Sequence, residues 1–147
     1  MGRSLQLRHA KPNVLVVEDV DDVREMYVEY LTYLGLNAEG AVNGRDAVRK
    51  AITQQRALIV MDLAMPVLDG WEAIRILKAD PRTRSIPIVV LTGQAQPELL
   101  ERARELGATE VVVKPCLPAQ LGSVVMNAID PKANGTAAHA SSLGAPR

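Results

Sequence analysis

A chain of 147 residues, 48 % of them hydrophobic, has apolar surface for one sizeable core and not two. Seventeen Asp and Glu balance seventeen Lys and Arg, and this formal net charge of zero argues against a general binder of nucleic acid or membrane surfaces. The single cysteine, Cys116, excludes an intramolecular disulfide, no apolar h-region follows the basic N-terminal residues, and no stretch is long enough to span a bilayer, so a cytoplasmic protein is expected.

The first dozen residues carry no pattern and are expected to be flexible. "VLVV" at 14–17 reads as a buried strand. Over 21–34 a helical stripe of Val23, Tyr27, Tyr30, Leu31 and Leu34 stops at Gly35. A weaker run, "LNAEGA" at 36–41, is a candidate edge strand, and a helix over 44–54 follows with Ala47, Val48, Ala51 and Ile52 on one face. "ALIVM" at 57–61 is a strong strand, and 70–79 places Trp71, Ile74 and Leu77 together as a helical stripe. "IPIVVL" at 86–91 precedes a helix over 97–106 that starts on Pro97 and stops at Gly107. "EVVV" at 110–113 precedes a last helix near 118–129, which Pro131 ends. Residues 131–147, small, polar and punctuated by Pro and Gly, are expected to be a disordered tail, leaving one domain over 13–130. Strand and helix alternate five times, which predicts an α/β fold with a parallel sheet, right-handed crossovers and both sheet faces covered.

In an open sheet of this kind, ligands bind beyond the carboxyl ends of the strands. Glu18 and Asp19 follow the first strand, Asp62 ends the third, Thr92 the fourth, and Lys114-Pro115 the fifth. Three carboxylates brought together repel one another unless a cation joins them. Oxygen ligands suit Mg²⁺, which keeps waters for a phosphate. Lys114 then serves as counter-charge to a phosphate oxygen, and Thr92 as a hydrogen-bond donor to another. The expected chemistry is Mg²⁺-assisted phosphoryl transfer onto Asp62 as nucleophile.

The acidic pair in "VVEDV", the segment "MDLAMPVLDG", "LTG" and the "KP" after the fifth strand resemble, in kind and spacing, a response-regulator receiver domain of two-component signalling over residues 13–129. The resemblance implies a flavodoxin-like (βα)5 fold, a doubly wound five-stranded parallel sheet in the order 2-1-3-4-5. It implies that Asp62 takes a phosphoryl group from the phosphohistidine of a histidine kinase or histidine phosphotransfer protein. Asp19, Asp62 and the main-chain carbonyl of Ala64 would bind Mg²⁺ directly, and Glu18 through a metal-bound water. Lys114 and Thr92 would contact the phosphoryl oxygens, and the peptide before Pro115 would be cis. Met65-Pro66 and Asp69-Gly70 would shape the loop into the third helix. Two positions depart from the family. Its aromatic switch residue in the fifth strand is Val111 here, and the residue after Lys-Pro, often Phe, is Cys116. A smaller movement of Thr92 and its loop would then reshape the surface of the fourth helix, fifth strand and fifth helix, where a downstream protein partner is expected. Ala64 and Gln94 occupy positions that resemble the family's tuning sites for phosphoryl lifetime.

Plainer readings stand beside these. Asp21 or Asp22 could cap the helix that follows, and Asp69 the third helix. Trp71 reads as a packing residue near the mouth of the site, and Cys116 as a small hydrophobe. The charges of "ELLERARELG" read as a solvated helix face with intrahelical pairs or as a partner surface. His9 and His139 fall in the expected loose ends. The leading function is a stand-alone receiver, a phosphorylation-dependent interaction switch that catalyses its own aspartyl phosphorylation and dephosphorylation and has no external metabolic substrate. The 17 residues after Asp130 are too few for a DNA-binding module, so no direct nucleic-acid contact is expected. One alternative is a pseudo-receiver, a constitutive scaffold, which the missing aromatic favours and the complete acidic rim opposes. Another is a haloacid-dehalogenase-like phosphatase, which would need a second carboxylate where Ala64 stands.

Overall fold

The structure, a computed structural model, describes residues 10–65 and 68–130. Pro66, most of the N-terminal segment expected to be flexible and the tail at 131–147 lie outside the described residues. Five strands, β1 (Asn13–Val17), β2 (Asn37–Ala41), β3 (Leu58–Asp62), β4 (Ile88–Thr92) and β5 (Glu110–Val113), alternate with five helices. The helices are α1 (Asp21–Tyr33), α2 (Gly44–Thr53), α3 (Gly70–Ala79), α4 (Pro97–Leu106) and α5 (Pro118–Ile129). All strand pairs are parallel and the order is β2-β1-β3-β4-β5, as the sequence leads one to expect.

The strands sort their side chains with period two. Leu15, Val17, Ile59, Met61, Ile88 and Val90 join the core beneath α2 and α3, where Leu106 of α4 and Val111 also pack. Val14, Val16, Leu58, Val60, Val89 and Leu91 join the opposite core with Tyr27 and Leu31 of α1 and Leu121 and Val125 of α5. The three central strands are therefore apolar on both faces, which is why they read as unbroken runs. Each such aliphatic side chain contributes on the order of 1.5–3 kcal/mol by leaving water. The edge strand β2 buries only Ala41 fully, and its mixed sequence, NAEGA, gives a correspondingly weak signal.

Local chemistry sets most element ends. Asn43 accepts a hydrogen bond from Asp46 N–H at 2.8 Å to start α2, and Asp69 accepts from Glu72 N–H at 2.9 Å to start α3. Past α1 and α4 the chain turns at Gly35 (φ 99°) and Gly107 (φ 120°), in the left-handed region that glycine tolerates. Two expectations need correction. Neither Asp21 nor Asp22 caps α1: the N-cap is Val20, with no side-chain cap bond, and both aspartates lie in the first turn. β4 begins at Ile88 rather than Ile86, because Ile86 N–H is taken by Thr83 O in the preceding turn and Pro87 has no N–H.

Candidate functional site

β1 and β3 are neighbours at the middle of the sheet, and the chain leaves them in opposite directions, to β2 and to β4. A cleft opens at such a switch point, beyond the carboxyl ends of the strands. Glu18 and Asp19 leave β1 there, and Asp62 closes β3. One carboxylate oxygen from each of the three lies within 4.8 Å of the others, and among the described residues this is the one such cluster. Glu18 and Asp62 are each only 2 % exposed, so their charges face one another with little water between them.

Lys114 reaches this cluster from the end of β5. Its Nζ donates to Asp62 Oδ2 at 3.0 Å and stands 3.9 Å from Glu18 Oε1. The lysine is placed by main-chain bonds on both sides. Its N–H donates to Thr92 O at 2.7 Å, and past the cis Lys114–Pro115 peptide the Cys116 carbonyl accepts from the Tyr27 hydroxyl at 2.7 Å. The second Asp62 oxygen accepts from Ala64 N–H at 3.1 Å. Buried Thr92 accepts from Gln94 N–H at 3.1 Å through its hydroxyl oxygen, which leaves its own hydrogen free to donate. Gly70 begins α3 against this strand end: a Cβ there would come within 2.3 Å of the Asp62 carbonyl oxygen, so only glycine permits the approach.

One carboxyl in the site is strongly perturbed. Burial pushes Glu18 up to about 7, and the neighbouring Asp62 charge adds to this. The Val20 N–H, at 3.2 Å from Glu18 Oε2, and Lys114 pull the other way without prevailing. The other oxygen, Glu18 Oε1, is buried with no hydrogen-bond partner. A buried carboxylate oxygen in that condition is costly unless something outside the protein chain completes it. Lys114 alone cannot neutralise three carboxylates.

The other residues singled out in the sequence divide between site and scaffold. Asp69 caps α3, as expected. Cys116 is buried and burial raises its thiol pKa, in keeping with a small hydrophobe. Val111 is half-buried and packs in the same cluster as Trp71 and Leu106. Trp71 does pack against the core, and Arg102 of α4 lies over its ring, 4.9 Å from the centroid. The intrahelical pairs expected in α4 are absent among the described residues, since Glu98, Glu101, Arg104 and Glu105 all point into solvent. Arg24, which the sequence reading passed over, donates through Nη1 to the Glu18 carbonyl at 2.9 Å and through Nη2 to Asp21 Oδ1 at 2.5 Å. A basic residue three positions after an acidic one on a helix was the available signal.

The fold and this rim together define a known class. The family model for the response regulator receiver domain matches residues 14–126, and the chain belongs to that family. It is 34 % identical over 110 residues to the chemotaxis protein CheY of Thermotoga maritima, covering 74 % of this chain and 89 % of that one. It also matches longer proteins described as transcriptional regulators, of whose length it spans 43–56 %. Among solved structures, chemotaxis protein CheY4 of Vibrio cholerae superposes with a TM-score of 0.77 at 31 % identity, over 81 % of this chain and 99 % of that one. The receiver domain of a sensor histidine kinase from Pseudomonas aeruginosa, described with a magnesium ion coordinated in its active-site cleft, gives 0.74 at 32 % identity, over 82 % and 98 %.

Proposed function

We propose that this protein is a phosphorylation-dependent signalling switch in which Asp62 accepts a phosphoryl group from the phosphohistidine of a histidine kinase or phosphotransfer protein. The observation that carries the reading is the orphaned, buried Glu18 Oε1 beside Asp62 and Asp19, a set of hard oxygen donors whose charge Lys114 only partly offsets. Those donors fit Mg²⁺, with Asp19, Asp62 and the Ala64 carbonyl as ligands and Glu18 acting through water. When bound, Mg²⁺ supplies neutralisation of the charge on the phosphoryl oxygens.

The chain's own groups account for the rest. Asp62, held by Ala64 N–H, presents an oxygen to phosphorus; a P–O bond forms as the donor's P–N bond breaks, and the imidazole departs. Lys114, already 3.0 Å from the nucleophile, supplies positive charge to a phosphoryl oxygen, and the Thr92 hydroxyl donates to another. The acyl phosphate places new negative charge among Thr92, Lys114 and their loops, which biases the α4–β5–α5 surface toward one partner over another.

The test is intact mass after incubation with acetyl phosphate, in Mg²⁺ and in EDTA, for wild type and Asp62→Asn. One phosphoryl group gained only by wild type and only with Mg²⁺ is expected. Mg²⁺ binding without any adduct would favour a pseudo-receiver scaffold, the reading to which Val111 in place of an aromatic lends support.

A further inference from the structure

We propose that Arg24 is a positioning residue, fixing the β1–α1 turn so that Glu18 and Asp19 converge on Asp62, and thereby setting the affinity of the site for Mg²⁺. The inference rests on the metal reading above and adds to it a residue that does not touch the ion.

Two of the three carboxylates ride on a turn that has few other restraints. Glu18 N–H is bonded to Ala41 O at 3.1 Å, which ends the β1–β2 ladder. Beyond that, Val20 N–H donates to Glu18 Oε2 at 3.2 Å, and the N-cap of α1 is Val20 itself, whose side chain offers no oxygen to hold the helix N-terminus. Arg24 compensates by spanning the turn. One guanidinium nitrogen holds the carbonyl of Glu18 and the other holds Asp21, so the two ends of the turn are tied together across Asp19. The Arg24 side chain is 13 % exposed, so water competes weakly for its bond to the Glu18 carbonyl, whereas Asp21 is 76 % exposed and its pair with Arg24 is the weaker tie. Arg24 acts on the main chain of the turn, whereas Lys114 is the cation that faces the carboxylates themselves.

A second residue is shaped to this arrangement. Gly40 of β2 lies beneath the arginine stem, and a Cβ at Gly40 would stand 2.8 Å from Arg24 Cδ and 3.1 Å from its Cγ and Nε. Glycine inside a strand weakens it and marks a close approach. Here the approaching group is Arg24. A methyl group at position 40 would displace the stem while leaving every charge and hydrogen-bonding group in the chain.

Three mutually repelling carboxylates relax apart when the turn is loosened, and a metal must then draw them back together. Loss of groups that orient metal ligands typically costs about 10–100-fold in metal affinity. The experiment is calorimetric titration of metal-free protein with MgCl₂ for wild type, Arg24→Ala, Arg24→Lys, Gly40→Ala and the control Arg75→Ala, which breaks an exposed ion pair on α3. It is run below the melting temperature of each variant, alongside the Mg²⁺ dependence of phosphorylation by acetyl phosphate. Arg24→Ala is expected to weaken Mg²⁺ binding by about 10-fold or more. Gly40→Ala and Arg24→Lys should shift it in the same direction by less, and Arg75→Ala should leave it unchanged. The Mg²⁺ half-saturation of phosphorylation should move with these affinities while the rate at saturating Mg²⁺ stays near wild type, a split that mere loss of stability does not produce. Wild-type Mg²⁺ affinity in folded Arg24→Ala and Gly40→Ala would overturn the proposal and leave the phosphoacceptor reading intact. Should Arg24→Ala fail to fold, Gly40→Ala and Arg24→Lys decide. A wild-type protein that neither binds Mg²⁺ nor gains a phosphoryl group would overturn both.

Discussion

Two clusters of charge in this domain are built from similar parts and balanced in opposite ways. At the β2–α2 edge, Glu39 and Asp46 meet Arg49, Lys50 and Arg56. Arg56 Nη2 is 2.9 Å from Glu39, Lys50 Nζ lies 3.5 Å from Glu39 and 3.3 Å from Asp46, and Arg49 is 2.6 Å from Asp46. Burial would raise both carboxyls there, but the surrounding donors and cations outweigh it and hold both below their ordinary values. At the rim of β1 and β3, three carboxylates meet one ammonium, and burial with a neighbouring charge drives Glu18 up to about 7. The first cluster is balanced in charge within the protein, although buried Arg56 Nε has no hydrogen-bond partner. The second is not: one ammonium faces three carboxylates, the charge excess on which the Mg²⁺ proposal rests.

Adding to that excess has the largest expected effect. Lys114→Met removes the ammonium 3.0 Å from Asp62 Oδ2 and with it the fixed positive charge proposed to meet the transferred phosphoryl oxygens. The phosphorylation rate at saturating Mg²⁺ is expected to fall about 100-fold, the usual cost of losing one preorganised electrostatic group. Affinity for Mg²⁺ should rise in the same variant, because a competing cation has gone. Stopped-flow phosphorylation and MgCl₂ titration read the two quantities separately, and parallel losses in both would mean that Lys114 serves mainly as structural support.

The balanced cluster should respond differently. Arg56 is almost fully buried, and Arg56→Met strands Glu39 and the Lys50 carbonyl, which accepts from Arg56 Nη2 at 3.2 Å. Glu39 is 45 % exposed and can rehydrate, and buried Arg56 Nε has no partner to lose, so the expected cost is about 1–2 kcal/mol. Urea unfolding measures it. Mg²⁺ affinity should be unchanged, since among the described residues no side chain of this cluster bonds to Glu18, Asp19 or Asp62, and Arg56 bonds to neither Gly40 nor Arg24.

The same contrast explains what could be read from sequence. The central strands were legible because burial on both faces leaves VLVV, LIVM and IVVL without polar interruptions. The rim was legible because parallel topology alone brings strand ends together, so Glu18, Asp62 and Lys114 converge without knowledge of any loop. Arg24 and Arg56 were not legible. Each does its work through main-chain carbonyls and ion pairs fixed by tertiary structure, and a lysine or arginine in a helix or before a strand looks the same when it is solvated. The misplaced cap at Asp21 or Asp22 has a related cause. Val20 takes the N-cap position, and Asp21, one residue further in, lies in the first turn with its carboxylate accepting from Arg24.

The effect that contrasts the clusters most directly is on stability against pH in EDTA. Glu18 titrates near 7 when folded and near its ordinary 4.5 when unfolded, so across this window the folded state holds a proton that the unfolded chain has released. The stability that Glu18 contributes is therefore fully present below pH 4.5 and lost as pH rises through 7. Glu39 and Asp46 run the opposite way: lowered in the fold, they contribute stability above their ordinary values of 4.5 and 3.8 that is lost only as pH falls below them. The metal-free wild type should thus lose a few degrees of melting temperature between pH 4.5 and 7 that Glu18→Gln does not lose. Saturating Mg²⁺ should reverse the trend, because proton and metal compete for the same carboxylates and affinity for the metal rises with pH. Equal slopes for wild type and Glu18→Gln would place the charge excess elsewhere in the rim, on Asp19 or Asp62, and would leave the orphaned Glu18 oxygen a matter of packing rather than of ligand binding.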